Sequence, residues 1–229
     1  MVYLRWSKEA DSESSMAKGS SSKPRTSSAT SRGQAKSRPK ATDSASVPRA
    51  PSRTRGKLRY QALIEATEAL LSTDDPGSVG LYQIAEKAAV PPASVYHFFP
   101  TKEAAFLALA QQYVDQILQL LAEPIEAASF STWPEFMRID MRRGADFHNA
   151  HPPMMKINYG GFGGVETRHV DELFAMQISS TQYARMNKVF HMPHMRNPAE
   201  IFEMRLAIID GIYGISYRRH GMITDRYFD

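Results

Sequence analysis

From Leu63 onward apolar residues return every three or four positions, with polar residues filling the opposite side. That spacing predicts helices throughout and leaves no alternating run for a strand. Leu63, Ala66, Leu70 and Leu71 form the stripe of a first helix, beginning near Lys57 and closed by the turn-forming run Asp74-Asp75-Pro76-Gly77. Leu81, Ile84, Ala85 and Ala88 share one face of a second helix. Pro91-Pro92 stops it, and the fixed φ of Pro92 suits the first residue of a third. In that third helix Val95 and Phe99 are inward anchors four residues apart, which turns Ser94, Tyr96 and His97 outward. Two short helices joined by a tight turn, the second with a polar and aromatic outer face, make a helix-turn-helix suited to a DNA major groove.

The helical pattern continues. Thr101 is placed to cap a fourth helix, with Glu103 in its first turn, and Phe106, Leu109, Ala110, Tyr113, Ile117 and Leu120/Leu121 keep helical spacing up to Pro124. Thr132-Trp-Pro-Glu135 reads as a capping box opening a fifth helix to about Asn149, and His151-Pro-Pro starts a short sixth. Gly160-Gly-Phe-Gly-Gly164 breaks that one, and a long helix follows from about Thr167 to Phe190. Asn197-Pro-Ala-Glu200 is a second capping box, after which Ile201, Met204, Ile208, Ile212 and Ile215 line one face to about Arg219. The expected fold is all-α. Its expected divisions are a disordered basic arm at 1–55, a helix-turn-helix domain at 56–101 and a helical domain at 102–229.

Charge sharpens this division. Residues 1–55 hold 12 Lys and Arg against 4 Asp and Glu, whereas the remainder holds 16 against 20. The arm is rich in Ser, Ala, Thr and Pro, cannot bury enough surface to offset chain entropy, and fits non-specific attraction to phosphates. Met16-Ala-Lys reads as a start site, which makes residues 1–15 an upstream extension. Zero cysteines exclude disulfides and thiolate metal sites, and no apolar run approaches a membrane span. Met1 to Lys8 has no apolar signal region. The expectation is a cytoplasmic protein without membrane contact.

Ile84-Ala85, Ala89-Val90, Ser94-Val95-Tyr96 and Phe99-Pro-Thr-Lys102 resemble the signature of the tetracycline-repressor-like (TetR) family of regulators, without insertion or deletion between them. The resemblance covers about Arg59 to Leu109. It implies that Tyr82, Pro92, Ala93, Ser94, Tyr96, His97 and Lys102 face bases or phosphates. It also implies a homodimer on a palindromic double-stranded operator, a C-terminal domain that binds a small-molecule effector and dimerises, and a repressor released by that effector. Three positions depart from the family: Ala89 stands for a usual Gly, Val79-Gly80 for a capping Thr or Ser, and Phe98 for a common His. The chain ends at Asp229, about where the family begins a last interface helix, so dimerisation falls to the preceding helix, with Gly211 and Gly214 allowing close approach.

Ten of the twelve methionines lie between Met137 and Met222, interleaved with aromatics. Most suit an ordinary core; with the resemblance, they also suit a cavity for an apolar or aromatic effector with at most one anionic group. Phe147, Met155, Tyr159, Phe162, Tyr183 and Tyr213 are the candidates to line it, with Arg142, Arg143, Lys156 and Arg168 as nearby charges. The pairs His148/His151 and His191/His194 have helical spacing for a metal but lie at helix ends beside prolines, so no metal or other cofactor is expected. A metal-responsive regulator and a ligand-binding module without DNA binding are the alternatives. No nucleophile, zincin or paired-carboxylate pattern occurs in a fitting context, which argues against an enzyme. Asp140, Asp146, Asp171 and Glu172 read as solvated faces or ion pairs.

Overall fold

Why the chain turns where it does is clearest at Ala89. The computed structural model describes residues 47–161, 165–190, 192 and 194–228, with backbone alone for 165–172. The arm from 1 to 46 therefore lies outside the described residues, as do Phe162 and His191 and the side chains of Arg168, Asp171 and Glu172. Regular elements among the described residues are all helical: α1 (Thr54–Thr73), α2 (Leu81–Lys87), α3 (Pro92–Phe98), α4 (Lys102–Ala122), α5 (Trp133–Ala150), α6 (Pro152–Tyr159), α7 (Val165–Val189) and α8 (Pro198–His220).

At the end of α2, Ala89 adopts φ +53°. Val90 N–H reaches back to Ala85 O at 3.0 Å and Ala89 N–H to Glu86 O at 3.0 Å. This is a left-handed helix stop, which satisfies carbonyls the helix would otherwise leave open. It turns the chain sharply enough for α3 to pack on α2. A side chain in that conformation costs free energy that glycine does not. The departure read from sequence thus places a residue with a side chain in a left-handed turn.

One contiguous core joins the helices of the head to those beyond it. Leu63 and Leu71 of α1, Ile84 of α2, Val95 of α3, Phe99, and Leu109 of α4 are all shut from solvent. Phe98 is buried as well, its ring 5.6 Å edge-on to Tyr60, so the residue standing for the family's histidine serves packing. The same cluster continues through Tyr113, Ile117 and Leu121 to Met154 of α6. Helix α4 begins at a real cap, Thr101 Oγ1 accepting from Ala104 N–H at 3.2 Å. At α5, Glu135 accepts from the Ser131 and Thr132 N–H groups at 2.6 and 3.1 Å, which holds its carboxyl below the usual range. The second expected box closes differently: Asn197 Nδ2 donates to Glu200 Oε2 at 2.9 Å, side chain to side chain.

Helix α1 starts at Thr54, three residues before the expected start near Lys57, with no side-chain cap. Just ahead of it, Arg49 N–H donates to Phe98 O at 2.9 Å and so ties the entering chain to the C-terminal end of α3. Helix α8 carries two apolar stripes. Phe202 and Tyr213 are buried, with Leu206 and Ile209 partly so, whereas Ile201, Met204, Ile208, Ile212 and Ile215 are exposed, Ile208 at 63%. Leu173 and Met176 of α7, the helix packed most extensively on α8, are exposed too. Gly211 belongs to this open face with nothing near its Cα substituent, but Gly214 does not: a Cβ there would meet Tyr159 at 3.3 Å. Its smallness serves the contact with α6, correcting its expected role in close approach.

Ala89→Gly should stabilise the fold by about 0.5–1 kcal/mol, relief of the left-handed strain exceeding glycine's entropic cost. Urea unfolding of the two proteins checks this; equal or lower stability for the glycine variant contradicts it.

Candidate nucleic-acid interface and interior cavity

The outer surface of the α2–α3 unit follows from its anchors. Val95 and Phe99 are fully buried, which forces the intervening side chains out. Tyr96 is 55% and Tyr82 67% exposed, Pro92, Ala93 and His97 are exposed, and Ser94 is half-buried. Tyr82 and Tyr96 are thus large aromatics held on a solvent-facing surface. Their hydroxyls and the His97 ring can donate to phosphates or base edges, and Pro92 and Ala93 offer apolar contact to thymine methyls. Lys102 sits differently. Its ammonium donates to Pro76 O at 3.1 Å and Gly77 O at 3.2 Å, fastening the α1–α2 loop to the start of α4. Gly80 caps α2 without a side chain, its N–H bound by Gln83 Oε1 at 2.7 Å.

Behind this head, α4 to α8 enclose a cavity of about 550 Å³. Helix α4 supplies Phe106, Ala110, Tyr113, Val114 and Ile117 to its wall, and the other helices add Met154, Ile157, Phe174 and Ile178. Of the sequence candidates, Tyr159 and Tyr213 line it. Phe147 packs instead on Tyr113 and His151, with ring centroids 6.4 and 4.2 Å away. Met155 is buried beside Ala145 and Ile223, and Tyr183 lies 5.4 Å edge-on to Phe202 in a separate cluster.

The polar part of the wall was missed in sequence. Asp140, expected on a solvated face or in an ion pair, is 2% exposed and accepts from Arg185 Nη1 at 2.7 Å and Gln182 Nε2 at 3.4 Å. Gln182 Oε1 in turn accepts from Arg205 Nη2. Burial lowers the Arg205 guanidinium from its usual range, opposed by the charge of Asp140, and it stays a cation. The signal was available: Arg205 stands on the Phe202–Leu206–Ile209–Tyr213 stripe, where a charge is out of pattern. The charges expected near the ligand have other partners. Arg142 pairs with Asp225 at 2.6 Å, Arg143 with Glu123 at 2.9 Å, and Lys156 Nζ donates to Leu71 O and Asp74 O at 2.7 and 3.0 Å.

Both rings of the His148/His151 pair are held by backbone carbonyls. His148 Nδ1 donates to Gly144 O and His151 Nδ1 to Phe147 O, each at 2.7 Å, so both rings serve their own helix. Burial holds His148 below the usual histidine range, so its cavity-facing ring is neutral at pH 7. No group of three or more His, Asp or Glu side chains is disposed to hold a metal among the described residues.

The sequence model of the bacterial regulatory proteins of the tetR family matches residues 63–109, from the buried part of α1 into α4. This chain carries the tetR-family DNA-binding domain. A tetR-family transcriptional regulator from Streptomyces coelicolor is 20% identical, with a TM-score of 0.54 over 74% of this chain and 73% of that one, a likeness of fold. A transcription regulator from Lactobacillus plantarum is 12% identical, with a TM-score of 0.40 over 73% of this chain and 90% of that one. No curated protein matches the chain. The tetR domain is therefore joined here to a helical region with its own cavity, and no helix among the described residues is long and apolar enough to cross a membrane.

Lys102→Ala should lower stability by about 1–2 kcal/mol, since two loop carbonyls lose a charged donor. Tyr96→Ala should change it by less than about 0.5 kcal/mol, as a side chain more than half exposed. Thermal unfolding of both variants separates the scaffold residue from the surface one; the reverse order contradicts the assignment.

Proposed function

We propose that the protein is a ligand-released repressor that binds a palindromic operator as a homodimer. The observation that carries the reading is the tetR head itself, with Tyr82, Pro92, Ala93, Tyr96 and His97 turned to solvent by buried anchors. Ser94 joins them from a half-buried position, and Lys102 contributes by holding the loop under the motif. With no Arg or Asn on α3, bidentate base contacts are missing, so discrimination per contact is modest and groove shape carries part of it. The basic residues before Val47 add attraction to phosphates that weakens with salt.

Dimerisation rests on the open stripe of α8. Ile201, Met204, Ile208, Gly211 and Ile215 recur at helical spacing on a face left open among the described residues, and α7 adds Leu173 and Met176. A two-fold pairing of this face removes a contiguous apolar surface from water.

Coupling follows from which helices touch both ends. Helix α4 walls the cavity and, through Lys102, holds the α1–α2 loop. Helix α6 also walls the cavity, and its Lys156 ammonium sits on the carbonyls at the C-terminal end of α1, where a cation is favoured. An effector that shifts either helix changes the pose of the head. DNA and effector then weaken each other by the same factor, a coupling on the order of 1–3 kcal/mol.

Sequencing the duplexes retained by the purified protein should return a palindrome with half-sites about one helical turn apart. No retained duplex would leave only a ligand-binding module. On that operator Tyr96→Ala should weaken binding by about 1 kcal/mol. Ile208→Glu should keep helical content, sediment as a monomer and lose at least about tenfold in affinity, because the second head no longer acts at high local concentration. A dimeric Ile208→Glu variant contradicts the interface.

A further inference from the structure

Arg205 is a half-buried cation with donors to spare. It lies among the apolar residues of the inward stripe of α8, and it borders the cavity. Nη2 donates to Gln182, whereas Nε and Nη1 are shut from solvent and have no hydrogen-bond partner. Buried donors left unpaired are costly, and a charged one most of all. The carboxylate that could answer them is spent. Asp140 is the acid whose charge acts on Arg205, and its two oxygens are held by Arg185 and Gln182. The Arg205–Gln182–Asp140–Arg185 chain contains two guanidiniums and one carboxylate, and on the cavity wall itself Arg205 stands beside Asp140, Asp210 and Glu103. Asp210, also on the wall, accepts the Tyr159 hydroxyl at 3.1 Å, and Glu103 belongs to the first turn of α4.

We propose that the cavity binds a largely apolar monoanion of the carboxylate class, its head on the Nε and Nη1 donors of Arg205 and its hydrocarbon part against Phe106, Ile117, Phe174 and Ile178. An anionic head answers both open donors of Arg205; a second negative charge would meet Asp140, and a cationic ligand would leave those donors unanswered. A neutral ligand would fill the apolar volume and leave the donors unanswered. The inference rests on the effector reading above for its consequence at DNA, but the anion site itself does not.

The full-length protein is titrated by calorimetry and thermal shift with decanoate, 4-phenylbutyrate and naphthalene-2-acetate, each beside its primary amide. The acids should bind on the order of ten- to a hundred-fold more tightly than the amides, the difference expected for a hydrogen bond to a charged group. Arg205→Gln should erase the preference by weakening the acid and sparing the amide. Arg205→Lys, which keeps the charge, should retain part of it and shows that the loss is not unfolding. Equal binding of acid and amide, an undiminished preference in Arg205→Gln, or no binding by any of the acids overturns the proposal. Operator release is measured in the same samples. An acid preference that depends on Arg205 without release supports the anion site and overturns the ligand-release reading.

Discussion

Tyr113 is buried with its ring against Phe147 and His151 and its hydroxyl donating to Glu68 of α1 at 2.7 Å. It belongs to the core of the head and to the wall of the cavity at once. That double duty is the constraint on which the molecule is built. Close-packed side chains have few alternative arrangements, so a change on one side of α4 has to be answered on the other. Phe106 and Ile117 share the same position between the two. Lys156 adds a polar tie between α6 and the end of α1, next to the loop that Lys102 fastens from the other side.

The helix-turn-helix motif was legible because its information is local. Helical spacing, two prolines and two anchors four residues apart suffice to orient Tyr96 and His97, and the resemblance rests on the same short span. Even the Ala89 departure could be read as a conformational demand, and the φ of +53° shows what it is. The cavity was less legible, since five helices distant in sequence build it. Counting aromatics and methionines found Tyr159 and Tyr213 but also chose Phe147, Met155 and Tyr183, which fill ordinary packing. Composition says which residues suit a pocket and cannot say which side of a helix faces it.

Helix α8 shows the same limit from another direction. Its pattern contains an apolar stripe on either side, and periodicity alone gives no reason to bury one rather than the other. Neighbours decide. Phe202 and Tyr213 meet α5, α6 and α7, which leaves Ile201, Met204, Ile208, Ile212 and Ile215 outside. The exposed set then becomes an interface within the proposed dimer, and the buried set carries Arg205 to the cavity. The proposed dimer interface and the proposed ligand site accordingly occupy opposite faces of one helix, each specified by residues that the other does not use.

The central claim, that the contents of the cavity set the pose of the head, can be tested without knowing the effector. Gly144 of α5 borders the cavity, and a Cβ built there meets nothing within 4 Å. Gly144→Leu therefore places a side chain into the open volume while removing a glycine from a helix interior, which by itself favours the fold by about 0.5–1 kcal/mol. Operator affinity of this variant is the most direct measurement. The account predicts a dimer with raised melting temperature and an affinity lowered several-fold, the effector's action built into the chain. A stabilised dimer that binds the operator as tightly as the parent protein would contradict it.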